Sequence, residues 1–111
     1  MIKQMKIGAP TGAGKTKFMA EIMSRAVKEF GVERILHITP HNPLRSQLVR
    51  RLDKQTADHV FLCDTTRLPQ FLPDDLVVLD EMPSYTRFLI ETRLKDEAVR
   101  VISFHDMSEM H

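Results

Sequence analysis

Apolar and polar positions alternate between two rhythms along this chain, short continuous apolar runs and longer stretches with helical spacing. Met5-Lys6-Ile7-Gly8 is a short β-like segment, and Phe18 to Phe30 follows with Phe18, Ile22, Ala26 and Phe30 four residues apart beside Met19, Met23 and Val27. Gly31 is suited to the left-handed position that ends a helix. Ile35-Leu36-His37-Ile38 has the form of a strand covered on both faces, and His37 within it reads as a packed, hydrogen-bonded histidine. Asn42 as N-cap and Pro43 as first helical residue open a second helix, whose buried stripe is Leu44, Leu48 and Leu52. Val60-Phe61-Leu62-Cys63 predicts a third strand and Leu76-Val77-Val78-Leu79 a fourth. Pro83 opens a helix to about Leu94 with Tyr85, Phe88 and Leu89 inward, and Val99 to Phe104 predicts a fifth strand. Strands alternating with helices imply an α/β fold: a mainly parallel five-stranded sheet with helices on both faces, over residues 1–111 as one domain.

Composition narrows the picture without changing it. With 42% hydrophobic and 28% charged residues the chain is an ordinary globular one. Sixteen basic against fifteen acidic residues leave +1, so any grip on nucleic acid has to come from local clusters. A single cysteine, Cys63, allows neither an internal disulfide nor a zinc site of its own and reads as a core thiol in a reducing compartment. No apolar run has membrane-spanning length and the N-terminus lacks a secretion signal, so a cytoplasmic protein with no membrane partner is expected.

Two stretches carry chemistry. Between the first strand and first helix runs Ala9-Pro10-Thr11-Gly12-Ala13-Gly14-Lys15-Thr16, a phosphate-binding loop with Ala at the position of the usual first Gly. Gly12 and Gly14 would let the backbone around Ala13 turn its N–H groups onto a triphosphate, and the helix start adds its positive dipole end. Lys15 would reach the β- and γ-phosphates of ATP and the Thr16 hydroxyl would ligate Mg²⁺. The second stretch is Asp80-Glu81 at the end of the apolar fourth strand, where open α/β sheets bind ligands. Asp80 would hold Mg²⁺ directly or through water; Glu81 would polarise or deprotonate the attacking water. Arg45, Arg50, Arg51 and Lys54 lie off the apolar stripe of the second helix, as a phosphate-backbone grip or as a solvated face. Thr66 and Arg67 follow the third strand, where a ligand or simple loop polarity would account for them.

In their order these motifs resemble the first motor domain of superfamily 1 and superfamily 2 helicases, RecA-like P-loop NTPases, over nearly the whole chain. APTGAGKT is similar to motif I and LVVLDEMP to motif II; ITPHNPLRSQL resembles motif Ia, and CDTTRL a threonine-bearing motif. The resemblance implies contacts of Pro40, Arg45, Thr66 and Arg67 with single-stranded RNA or DNA. VISFHDMSEMH matches Asp106 of a Gly-Asp-x-x-Gln element, with His105 and Glu109 departing from it, or only Ser103 of a Ser-Ala-Thr element. The strand from Val99 to Phe104 is expected between the glycine-loop strand and the Asp-Glu strand. The family also works with a second RecA-like lobe, or a partner subunit, that supplies an arginine finger; a fragment, a partner chain and a reduced ATPase all fit its absence here. RNA-virus helicases and small phage proteins share this compact layout, so a viral or mobile-element source in host cytoplasm is an expectation. A thymidine-kinase-like nucleoside kinase and a non-catalytic helicase-fold interaction protein are the competing readings.

Overall fold

The computed structural model describes residues 3–9, 13–94 and 99–106. Its strands are β1 (Lys3–Ala9), β2 (Ile35–Ile38), β3 (Val60–Cys63), β4 (Leu76–Asp80) and β5 (Arg100–Asp106). They form one sheet in the order β1-β5-β4-β2-β3, and every pairing is parallel. The helices are α1 (Ala13–Lys28), α2 (Asn42–Arg51), α3 (Lys54–Ala57) and α4 (Ser84–Leu94). β5 thus inserts between β1 and β4, which brings the ends of the first and fourth strands within one strand of each other.

Every residue of β2 and β4 is buried, as a parallel sheet clad on both sides requires. Successive strand side chains point to opposite faces. Ile35, Leu76 and Val78 therefore pack with Met19, Met23 and Val27 of α1 and Leu48 of α2. Leu36, Ile38, Val77 and Leu79 pack on the other side with Ile90 and Leu94 of α4. Full burial of a side chain of this kind contributes about 1.5–3 kcal/mol. The same alternation sends His37 and Asp80 to the α1 face, since each lies two positions from a residue of that cluster.

Several elements differ from the expectations above. Phe18 and Phe30 are 44% and 69% exposed; the stripe that α1 buries is Met19, Met23, Ala26 and Val27. α1 ends as foreseen, with Gly31 at φ +65° and the Val32 N–H bonded to the Ala26 carbonyl at 3.0 Å. α2 begins one residue early: His41 is its N-cap, without a side-chain cap bond, and the Asn42 carboxamide accepts from Arg45 instead. α3 was not expected; Asp53 caps it by accepting from the Thr56 N–H at 2.7 Å and pairs with Lys28 at 2.5 Å. Those bonds, the Lys28 one largest, lower the Asp53 pKa to about 2. β3 is an edge strand with Phe61 and Leu62 half exposed. Cys63 is buried there, and burial pushes its thiol pKa up.

α4 presents the opposite face from the one predicted. Tyr85, Phe88 and Leu89 are exposed, at 73%, 61% and 48%, while Ile90 and Leu94 are buried. The helix carries two apolar stripes, and the sheet takes the narrower one. Two polar contacts fix that choice: Ser103 Oγ donates to Glu91 Oε1 at 2.9 Å, and the Arg93 guanidinium lies over Phe71, 5.4 Å from its ring centre.

The amino edge of β4 is closed by an ion pair. Asp75 accepts from Arg34 Nε at 3.1 Å and Nη2 at 2.8 Å, and from the Leu72 N–H at 2.7 Å.

Candidate active site

Lys15 lies in the first turn of α1, just after the glycine loop, and is 3% exposed. Its Nζ donates to Asp80 Oδ1 at 2.8 Å and stands 3.2 Å from Glu81 Oε2. Thr16, the next residue, is also buried. Lys15 and the acidic pair at the end of β4 therefore meet. Gly12 lies outside the described residues, as do Pro10 and Thr11, and Ala13 is the first residue of α1. Gly14 is corrected in its role. It sits within α1 rather than at a left-handed turn, and a β-carbon there would meet nothing within 4 Å among the described residues.

Asp80 is almost fully buried, and its other oxygen accepts from His37 Nε2 at 2.9 Å. Burial alone would raise its pKa. Hydrogen bonds from His37 and Lys15, with the charges nearby, outweigh burial and hold the carboxyl below its ordinary range. Asp80 is thus a carboxylate at neutral pH. Glu81 has φ +49°, a left-handed backbone that a side-chain-bearing residue adopts at a cost of about 1–3 kcal/mol. Its N–H bonds the Phe104 carbonyl at 3.2 Å, which anchors the turn to β5. From this turn the Glu81 carboxylate meets Lys15 at 3.2 Å, with its side chain 27% exposed.

A cavity of about 640 Å³ opens beside this cluster, within the roughly 300–1,000 Å³ range of small-molecule sites. Lys15, Thr16 and Glu81 form one wall, and Leu44, Gln47, Arg50 and Arg51 of α2 form the other. The donors fit Mg²⁺: a hydroxyl and an ionised carboxylate are hard oxygen ligands, and Mg²⁺ on a nucleotide takes only one or two protein carboxylates, phosphate oxygens and water completing its shell.

The remaining predicted site residues lie along the ends of β2 and β3. Pro40, Thr66 and Arg67 are exposed. Thr66 donates through its N–H and its hydroxyl to Asp64 Oδ1, at 2.6 and 2.7 Å, which keeps the Asp64 carboxyl below its usual range. Arg45 is half-buried and turned inward, bonded to the Thr39 carbonyl and, at 3.1 Å, to the Cys63 carbonyl. It braces the ends of β2 and β3 together. Ser103 faces α4 and Glu91, across the sheet from Lys15. The backbone of His105 and Asp106 pairs with Gly8 and Ala9 next to the glycine loop, and Glu109 lies outside the described residues.

His37 is packed and hydrogen-bonded, as its place in an apolar strand implies, and what the strand does not reveal is that its partner is Asp80. His37 is fully buried, and its Nδ1 has no partner among the described residues. An ionised Asp80 carboxylate can only accept, so the proton between the two groups is on His37 Nε2, which donates it. The signal available in the sequence was a lone polar residue in an apolar strand.

Comparison with curated proteins and with solved structures finds no match. The family described as type III restriction enzyme, res subunit, matches residues 2–70, from the start of the chain through β3. Asp80 and Glu81 lie beyond the matched span, so their meeting with Lys15 is a separate observation. With more than half of its length matched, the chain belongs to that family and is a helicase-superfamily P-loop domain.

Proposed function

We propose that this chain is a RecA-like motor lobe that hydrolyses ATP with Mg²⁺ and acts on single-stranded nucleic acid. The observation that carries the reading is the position of Lys15 Nζ, 2.8 Å from one acidic side chain and 3.2 Å from the next, at the mouth of a cavity of nucleotide size. An entering triphosphate offers Lys15 a more highly charged partner than either carboxylate. When the ammonium turns to the phosphates, one movement releases Asp80 and Glu81 together. Asp80, still oriented by His37, is then available with Thr16 to hold Mg²⁺, which supplies charge neutralisation across the terminal phosphates. Glu81 orients a water and takes its proton as the water oxygen attacks the terminal phosphorus. The bond to the bridging oxygen breaks, ADP leaves with that oxygen, and Lys15 neutralises the charge developing there.

The exposed residues Pro40, Thr66 and Arg67, at the carboxyl ends of β2 and β3, are the proposed nucleic-acid face. Arg45 holds that face in place from behind through the two carbonyls it bonds. A second lobe or partner chain supplying an arginine finger belongs to the same reading.

ATP turnover measured with and without single-stranded RNA or DNA across a salt series tests it. Stimulation that weakens steeply as salt rises is expected, because phosphate contacts release counterions. Glu81→Gln should bind Mg·ATP like the parent and lose about 10²- to 10⁴-fold in turnover. Parental turnover in Glu81→Gln would remove the proposed base, and a turnover indifferent to nucleic acid would remove the motor.

A further inference from the structure

Arg50 and Arg51 have no part in the chemistry above. They close the last turn of α2, exposed to solvent, and both line the cavity that Lys15, Thr16 and Glu81 wall on the other side. The wall opposite them presents the Lys15 ammonium and the Glu81 carboxylate, and the Asp80 carboxylate is buried against that same ammonium, so this wall has no positive charge to spare. A polyphosphate entering against that wall alone would meet repulsion from Glu81 before Lys15 could turn to it. The α2 wall supplies two guanidinium groups, which make the cavity lining positive. Guanidinium forks match phosphate oxygens in pairs.

We infer that Arg50 and Arg51 bind the polyphosphate of the nucleotide from the α2 side, opposite Lys15. This rests on the nucleotide reading above and adds to it that the basic end of α2 serves the nucleotide, not a nucleic-acid backbone and not solvation alone. Entry is then a hand-over: the arginines hold the phosphates while Lys15 exchanges its carboxylates for them.

Calorimetric titration of Mg·ATP and of Mg·tripolyphosphate into the full chain tests the inference. The double variant Arg50→Gln with Arg51→Gln should weaken both by about tenfold or more and by the same factor, since both ligands share the groups that the arginines hold. A charge-matched control, Arg25→Gln with Lys54→Gln, removes two exposed cations outside the cavity and should leave both affinities within about twofold of the parent. Arg50→Lys with Arg51→Lys keeps charge and loses the fork; an intermediate loss is expected, and this pair reports even where the glutamine pair does not fold. Parental affinity in the glutamine pair, or an equal loss in the control, overturns the inference. So does a loss confined to RNA or DNA binding, which would hand the two arginines to nucleic acid. A parent that binds neither Mg·ATP nor Mg·tripolyphosphate overturns the nucleotide reading itself and this inference with it.

Discussion

Strand β4 has a buried aspartate at each end, and the two are held in different ways. Asp75, just before the strand, is met by the guanidinium of Arg34 through Nε and Nη2 and by a backbone N–H, and Arg34 is tied further to the Gln70 carbonyl at 2.5 Å. Asp80, the last residue of the strand, is met by a lysine and by a histidine whose second nitrogen has no partner among the described residues. A planar fork locked into three acceptors has nowhere else to go. An ammonium on a flexible stem is a point charge that moves readily to a stronger anion. The amino edge of the sheet is therefore closed for stability and the carboxyl edge is closed provisionally, which is how a buried ion pair becomes a binding site.

Exchanging the two cations separates these roles. Lys15→Arg should keep the fold and lose about 10²- to 10³-fold in ATP turnover, because the fork fastens onto Asp80 and Glu81 and no longer follows the phosphates. Steady-state kinetics with a melting curve checks both halves; full turnover in this variant would show that the ammonium is not handed over. Arg34→Ala is the counterpart. It strands a buried carboxylate and should cost about 2–4 kcal/mol of stability by denaturant unfolding, discounted because Arg34 is 26% exposed, with the KM for Mg·ATP unchanged. A large KM change with little loss of stability would dissolve the distinction between the two ends.

Smaller effects sharpen the picture. His37→Phe removes the donor to the second Asp80 oxygen and should destabilise by about 1–3 kcal/mol. It should also raise the Mg²⁺ concentration needed for half-maximal turnover, with His37→Gln recovering part of the loss; an unchanged Mg²⁺ requirement would reduce His37 to packing. The acid limb is the smallest. Asp53 is lowered from an ordinary value of about 3.9 to about 2, and Asp80 is lowered as well. Groups whose folded pKa is depressed stabilise above the unfolded value and lose that contribution as pH falls through the folded one. Stability should be level above about pH 5 and decline toward pH 2. Lys28→Ala should flatten part of that decline, since Lys28 is the largest cause of the Asp53 shift.

Much of this was legible because it is local. An apolar run of strand length reports burial on both faces, which β2 and β4 show, and Gly31 marked the end of α1 through a conformation other residues avoid. Lys15 and the Asp80-Glu81 pair stood out because their neighbours carry the same signature. What stayed hidden depends on packing between elements. His37 joins Asp80 only because β2 pairs with β4 in the register that sets His37 beside Val78, and nothing in a four-residue run encodes a neighbour's register. The inward face of α4 was misjudged because periodicity alone cannot choose between two apolar stripes; Glu91 and Arg93 choose. α3 has too few residues to carry a period. That Arg50 and Arg51 share a cavity with Lys15 follows from α2 packing beside α1, which no local pattern states.

The central claim is that Lys15 gives up Asp80 and Glu81 for a triphosphate. Calorimetric titration of Mg·ATP into the parent and into Lys15→Ala measures it directly. Saturable binding by the parent, and a loss of at least about a hundredfold in the variant, is the predicted result. Equal binding by both proteins, or none by a folded parent, would contradict it.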